Sequence, residues 1–330
     1  MKALILAGGL GTRMRPLTDT VPKSLLPVAN RPFLEHQLRL LAQHGITETV
    51  LLTGYLAEDF RAFIEEVAGL GLTLEISTEE KPLGTAGAVR SMLEQLDDTF
   101  LVLNSDILTD LDLSSLLAWH REQGSLLTIA LTPVTDARPY GLVPLDPSGR
   151  ILDFREKPAD PVPGLINAGT YVLEPRALAD VPAGEFWMFE TQVFPSLLAA
   201  GEPLYGYSSD AYWLDIGTPE RYRQAHLDVL EGRIKVEVAG ELLGTDRPFE
   251  HGVVRAPSIV SRPVLIGPGA VVGPGSCLGS NVLVGGRALV QGSVLHDDVR
   301  IGVGAVVRDS ILGRGARVPV GAKITGEVLA

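Results

Sequence analysis

Through the first half of the chain, short apolar runs alternate with amphipathic stretches. KALILA, ETVLLT, LTLEIS and TFLVLN are too short for helices and read as buried strands, while residues 34–44, 57–69 and 85–96 carry helical spacing. Leu34, Leu38 and Leu41 fall on one stripe, and Gly45 supplies the stop. The alternation predicts an α/β architecture with a mixed, mostly parallel sheet and helices on both faces. Ligands of such sheets bind beyond the carboxyl ends of the strands, where AGGLGTR and NSD stand.

From about Ser125 to Gly217 the pattern changes. GLVPLDPSGRILDF reads as a hairpin around a Pro-Ser-Gly turn, NAGTYVLEP and YGYSSDAYWLDI as further strands, and the whole as an insertion covering the ligand cleft. A helix from Thr218 to about Glu231, with Pro219 in its first turn, closes a domain at 1–235. Residues 236–251 read as a linker. From 252 to 330 the period becomes six: Val254, Val260, Ile266, Val272, Leu278, Val284 and Val290 recur strictly, and after an irregular stretch at His296 to Val299 the spacing returns at Leu312, Val318 and Ile324. Hexapeptide periodicity predicts a parallel β-helix of about four coils, each burying one aliphatic residue per face.

Composition narrows the function. At 330 residues and 45% hydrophobic, the chain can bury a large core. The opening run MKALILA is too short for a signal segment or a membrane span, so a cytoplasmic protein without membrane contact is expected. A lone Cys277 inside the repeat array excludes an internal disulfide and reads as a small buried hydrophobe. The net charge of −12 argues against a nucleic-acid surface, so any phosphate site must be local, built from a few cations and backbone amides.

Ala7, Gly8, Gly9, Leu10, Gly11 and Thr12 follow directly on a buried strand. Glycines there admit close backbone approach, and successive amides form an anion-binding nest; the plain alternative is a tight turn. A P-loop is excluded because its lysine-serine pair is missing. A dinucleotide fingerprint is excluded because Met14 stands where a third glycine belongs and the second strand ends in Thr53 and Gly54 rather than an acid.

The stretch GGLGTRMRPLTDTVPKSLLPVANRP, Gly8 to Pro32, resembles the signature of the sugar-1-phosphate nucleotidyltransferase family, with Met14 and Ser24 replacing a common leucine and proline. The resemblance extends through LGTAGAV, LVLNSDI, FREKP, NAGTYVL and WLDIGTP, and the tail is similar to hexapeptide-repeat proteins. It implies a Rossmann-like nucleotidyltransferase domain followed by a left-handed β-helix. It also implies in-line attack of a sugar-1-phosphate oxygen on the α-phosphate of a nucleoside triphosphate, with pyrophosphate leaving and Mg2+ assisting. The enzyme's task is to align two polyanions and neutralise them. On this resemblance Leu6, Ala7, Gly8, Gly9, Gly11, Thr12, Arg13, Lys23, Glu79, Gly84, Thr85 and Asn104 bind nucleotide, and Arg13 and Lys23 stabilise the charge developing on the phosphates. Asp106, abruptly acidic at the end of an apolar strand, suits magnesium, with Asp215 as its partner. Asp215 also reads as a cap near the helix beginning around Thr218. Lys157 matches the family lysine on the sugar phosphate, and Gly141, Glu156 and Asn167 match its sugar contacts. The alternatives are an exposed Glu156–Lys157 pair and a turn-forming Asn167.

Glu79 falls where thymidylyl and uridylyl relatives often carry glutamine. Guanine offers two adjacent donors that suit a carboxylate, whereas uracil and thymine offer one donor between two acceptors, which favours GTP; the alternative is a solvated loop acid. NSD and WLDIGTP are similar to the forms in mannose-1-phosphate guanylyltransferases, so GTP and mannose 1-phosphate are the expected substrates, with dTDP- or UDP-glucose synthesis as the near alternative. Two other classes compete: a hexapeptide acyltransferase using His296 as base, and a non-catalytic regulatory subunit. The flat faces and edges of a solenoid predict a homo-oligomer.

Overall fold

The computed structural model describes residues 1–54 and 56–330. In chain order it runs β1 (Lys2–Leu6), a hairpin of β2 (Pro27–Val28) and β3 (Arg31–Pro32), α1 (Phe33–Gln43), β4 (Glu48–Thr53), α2 (Ala57–Glu66), β5 (Thr73–Thr78), α3 (Gly84–Arg90), β6 (Phe100–Asn104), β7 (Ile107–Thr109) and α4 (Leu113–Glu122). There follow β8 (Leu127–Val134), β9 (Gly141–Leu142), β10 (Arg155–Glu156), β11 (Gly164–Leu173), α5 (Phe194–Ala199), β12 (Leu204–Ser208), β13 (Trp213–Asp215), α6 (Pro219–Leu230) and the repeat strands. The described chain divides into two compact units, Met1–Gly9 with Gln37–Trp213 and Leu10–His36 with Leu214–Ala330.

The first unit is built on a nine-stranded sheet in which β6, β1, β4 and β5 are parallel neighbours in that order. Ala3, Leu4 and Ile5 are fully buried and the β4 interior is nearly so, as central parallel strands covered on both faces require. The segment after Ser125 is not an insertion laid over the cleft. β11 pairs antiparallel with β6, β8 pairs with β11, and β12 pairs with β8, so this segment extends the main sheet. The reason lies in β11 itself: Tyr171, Val172 and Leu173 are consecutive and wholly buried, which only a strand covered on both faces satisfies. The Pro-Ser-Gly turn does form, closed by Asp146 N–H on the Arg150 carbonyl at 2.9 Å. The helix expected over 85–96 stops at Arg90. There the Ser91 hydroxyl donates back to the Ala88 carbonyl at 2.7 Å, a local bond that competes with helical propagation.

In the second unit, Thr218 caps α6 by accepting from Arg221 N–H, and Pro219 occupies the first turn. Beyond it, short parallel strands stack into three sheets. The seven hexad positions from Val254 to Val290 are all buried and form the core of the β-helix. Val254, Val272 and Val290 stack at eighteen-residue intervals, and Val307 and Ile324 follow at seventeen. From Leu278 onward every coil is one residue shorter, because Val290 to Leu295, Val307 to Leu312 and Ile324 to Leu329 are each five residues apart, and the core continues unbroken through Leu295, Ile301 and Val307. Residues 236–251 carry two strands, Glu241–Leu243 and Arg247–Pro248, which pair antiparallel with the first repeat strands.

Candidate functional site

Because β1, β4, β5 and β6 are parallel, their carboxyl ends share one edge of the sheet in the first unit. Ala7 N–H donates to the Leu52 carbonyl and Ser105 N–H to the Leu6 carbonyl, so the turns after β1 and β6 leave side by side. Gly8 packs with its α-carbon face near Gly54. Leu6 to Gly9, Glu79, and Asn104 with Asp106 all gather along this edge. Gly84 and Thr85 open α3 nearby in sequence. Gly84 has φ of 71°, and a Cβ there would fall 2.5 Å from the Trp187 carbonyl, so only glycine fits.

Glu79 is half-buried, its backbone N–H on the Thr53 carbonyl and its Oε2 accepting from Leu83 N–H at 2.9 Å. Burial raises its pKa above the ordinary glutamate value, and the Leu83 amide partly opposes the rise. The carboxylate is thus fixed in direction at the entrance to α3.

The sugar-phosphate candidates form a second group in the same unit. Gly141 of β9 pairs directly with Glu156 of β10. A Cβ on Gly141 would stand 2.4 Å from Phe154 Cζ and 3.1 Å from Glu156 Oε2, so glycine leaves the Glu156 carboxylate its place. Lys157 holds φ of 47°, an uncommon backbone state for a side-chain-bearing residue, and its Nζ lies 3.3 Å from Glu156 Oε1. Asn167 sits where β11 shifts register against β8, accepting from Gly169 N–H and donating to Tyr171 Oη, both at 2.9 Å. Gly169, at φ of 72°, lies so close to Asn104 that a Cβ would come 2.8 Å from its amide nitrogen, which ties the bulge to the end of β6.

One acid of this group escaped sequence reasoning. Glu190 lies in the wide π-type turn Phe189–Val193 that leads into α5, and its Oε2 accepts from Thr85 Oγ1 at 3.2 Å. Burial, and secondarily the Glu156 charge, raise its pKa, while Thr85 and Lys157 oppose the rise. A lone acid directly after the apolar run FWMF is the available signal.

The remaining sequence candidates lie in the second unit. Gly11 takes a left-handed φ of 61°, and its carbonyl accepts from Thr18 Oγ1 at 2.8 Å. A Cβ on Gly11 would come 3.1 Å from Lys23 Cβ, so this glycine lets the loop of Thr12 and Arg13 fold tightly against Lys23. Asp215 accepts from Gly217 N–H at 2.7 Å and faces Arg221 Nη1 at 3.5 Å. A Cβ on Gly217 would fall 2.7 Å from Arg13 Nη2 and 2.8 Å from Asp215 Oδ1: guanidinium and carboxylate converge on the bare face of this glycine. In the sequence Gly217 is one letter of WLDIGTP, and only the packing gives it a role.

Two buried side chains of the repeat array are closed to chemistry. Cys277 is fully buried and its thiol is pushed up to about 12 by burial. His296, the acyltransferase candidate, is buried with its Nε2 2.8 Å from Tyr222 Oη.

Residues 2–232 match the nucleotidyl transferase family and residues 254–330 the GMPPB C-terminal domain, and the chain belongs to the nucleotidyl transferase family. Among similar proteins is a mannose-1-phosphate guanylyltransferase of Mycobacterium tuberculosis, 42% identical over 232 residues, a match covering 70% of this chain and 65% of that one. A UTP–glucose-1-phosphate uridylyltransferase of Synechocystis is 37% identical over 257 residues, covering 73% and 66%. The chain thus spans just under two thirds of the length of these relatives. Of solved structures, HddC of Yersinia pseudotuberculosis in complex with GMP-PN is 28% identical with a TM-score of 0.61, over 68% of this chain and 97% of that one. Among the described residues no helix is long and apolar enough to cross a membrane.

Proposed function

We propose that the chain is a sugar-1-phosphate nucleotidyltransferase that forms GDP-mannose and pyrophosphate from GTP and mannose 1-phosphate. The observation that carries this reading is the gathering of Gly8, Glu79, Asn104 and Asp106 at one edge of the parallel sheet, in a chain similar to enzymes named mannose-1-phosphate guanylyltransferases. Glycine-rich backbone takes the triphosphate, and Arg13 and Lys23 neutralise charge on the α-phosphate and the leaving group. Lys157 pairs with the sugar phosphate, whose oxygen is already ionised at neutral pH, so no side chain need act as base. Glu156, Asn167 and, beyond the motifs, Glu190 offer acceptors to sugar hydroxyls.

The family chemistry calls for a divalent cation. Asp106 and Asp215 offer hard carboxylate oxygens, and Asp215 is held in one orientation by Gly217 N–H and Arg221, which fits a ligand for Mg2+. When bound, the metal neutralises phosphate charge in the transition state.

Glu79 favours guanine because its carboxylate, aimed by Leu83 N–H, matches the two donors of that base. A uridylyltransferase reading with glucose 1-phosphate stands beside it, supported by the Synechocystis relative. Pyrophosphate release with magnesium, across GTP, UTP, dTTP, ATP and CTP against mannose and glucose 1-phosphates, separates them. GTP with mannose 1-phosphate is expected to turn over fastest and to be lost in Asp106→Asn. Preference for UTP or dTTP with glucose 1-phosphate overturns the Glu79 assignment, and no turnover with any pair overturns the enzyme reading in favour of a regulatory subunit.

A further inference from the structure

The loop Leu10–His36, which carries Arg13 and Lys23, packs in one compact unit with the β-helix. Its seat has a regular geometry. Val260, Leu278, Leu295, Leu312 and Leu329 stack in one sheet, so the residues that follow them, Ser261, Gly279, His296, Gly313 and Ala330, form a column down one corner of the solenoid. The loop meets this column at three levels.

At the first level, β2 and β3 are joined by the two-residue turn Ala29-Asn30, with φ of 52° and 61°. The Asn30 amide nitrogen donates to the Leu278 carbonyl at 2.7 Å and to Ser261 Oγ at 3.0 Å, with the Ala239 carbonyl at 3.4 Å. In return Ala239 N–H donates to the Ala29 carbonyl at 3.0 Å. At the second level, Tyr222 of α6 donates its hydroxyl proton to the Pro27 carbonyl and receives a hydrogen bond from His296 Nε2 at 2.8 Å. At the third, Leu17 is buried against Gly313, where a Cβ would come 3.1 Å from Leu17 Cδ2.

We infer that the β-helix is the rigid seat of the signature loop, and that Asn30 and the His296–Tyr222 pair are positioning residues that hold Arg13 and Lys23 for the triphosphate. The inference rests on the nucleotidyltransferase reading for its kinetic consequence, but not for its structural one. A loop freed at the Asn30 end keeps its charges and loses their placement, and misplacement of about 1 Å costs up to about a hundredfold in rate.

Asn30→Asp is the decisive variant. It keeps the size and the tolerance of positive φ, but turns a carboxylate toward the Leu278 and Ala239 carbonyls, which cannot donate to it, and toward a Ser261 hydroxyl whose proton already goes to the Ala239 carbonyl. Two readouts are taken on the full chain: hydrogen exchange of the amides of residues 10–36 against those of 264–324, and steady-state kinetics for each substrate. Faster exchange confined to the loop is expected. So is a loss of about tenfold or more in kcat/KM for the nucleotide, with the KM for sugar 1-phosphate within about twofold. Should Asn30→Asp fail to fold, Tyr222→Phe removes only the hydroxyl between His296 and Pro27 and is expected to shift both readouts the same way. Unchanged loop exchange overturns the seat. A loosened loop with unchanged nucleotide kinetics overturns the positioning role, as does an equal rise in KM for both substrates. A wild-type chain that turns over no pair sinks the functional reading separately, leaving the exchange result to decide the seat.

Discussion

Acid should unfold the second unit through two buried histidines, and the size of the effect follows from their surroundings. His226 and His296 are buried beside Tyr222, and burial holds their pKa values at about 3 and about 4. His226 is the more exposed to this penalty because neither ring nitrogen has a hydrogen-bond partner among the described residues. The neighbouring His296 lowers its pKa further, and the Pro27 carbonyl opposes the fall, although Tyr222 already holds that oxygen. Both groups titrate lower in the folded state than the ordinary value of about 6.5, so above that pH they cost nothing. As pH falls through it, the unfolded chain gains protons that the folded chain refuses. Between pH 7 and pH 5 each ring forfeits about 2 kcal/mol, about 4 kcal/mol for the pair, by linkage at 1.36 kcal/mol per unit. Urea unfolding followed by far-ultraviolet circular dichroism at pH 7, 6 and 5 measures this directly. His226→Phe keeps a flat ring against Tyr222 and removes two unsatisfied nitrogens. It is expected to be within about 1 kcal/mol of the parent at pH 7 and to recover about 2 kcal/mol of the acid loss at pH 5. His120, held down by burial in the first unit, contributes equally to parent and variant and cancels. A variant with the same pH slope as the parent would refute the claim that His226 is buried and neutral.

Gly217→Ala should lower kcat/KM by about tenfold to a hundredfold in the pyrophosphate assay with little change in unfolding midpoint, because its Cβ would displace the Arg13 guanidinium and Asp215 carboxylate rather than backbone. Gly169→Ala should instead destabilise by about 1–2 kcal/mol in urea unfolding, since it pays both for positive φ and for the Asn104 amide. Glu79→Gln should narrow the ratio of kcat/KM for GTP over UTP, and an unchanged ratio would assign Glu79 to capping Leu83 alone. Glu190→Gln should raise the KM for sugar 1-phosphate more than that for nucleotide; equal changes would mark Glu190 as a structural partner of Thr85.

Much of this architecture is legible in one sequence because its signals are periodic and local. ETVLLT predicts β4 to the residue, and the strict hexads predict the inward column of the β-helix, since burial of one aliphatic residue per face leaves no other period. Thr218 and Pro219 announce the start of α6 by capping chemistry alone. The errors share a different cause. The stretch from Ser125 to Gly217 was read as a cover because its turns are frequent, yet the partner of β11 is β6, some seventy residues earlier, and no local pattern encodes that pairing. The stretch at His296 reads as a break because each coil from there on is one residue short, which shifts the phase of the hexads that follow while leaving the stack intact.

The same distinction separates the parts of the site. Arg13, Lys23 and Asp106 stand in motifs whose residue order carries the chemistry, so their candidacy needs no coordinates. Glu190 and Gly217 matter through what lies against them: a threonine hydroxyl in one case, a guanidinium and a carboxylate in the other. Asn30 is the clearest instance. In the sequence it is one letter of PVANRP, and a turn-former at positive φ is a sufficient account of it. Only the stacked coils put Leu278 and Ser261, more than two hundred residues away in the chain, around its amide. A turn that needed Asn30 solely for its backbone would tolerate glycine at that position. Asn30→Gly should therefore keep the hairpin and still loosen the loop, and its exchange pattern separates the demand of the turn from the demand of the seat.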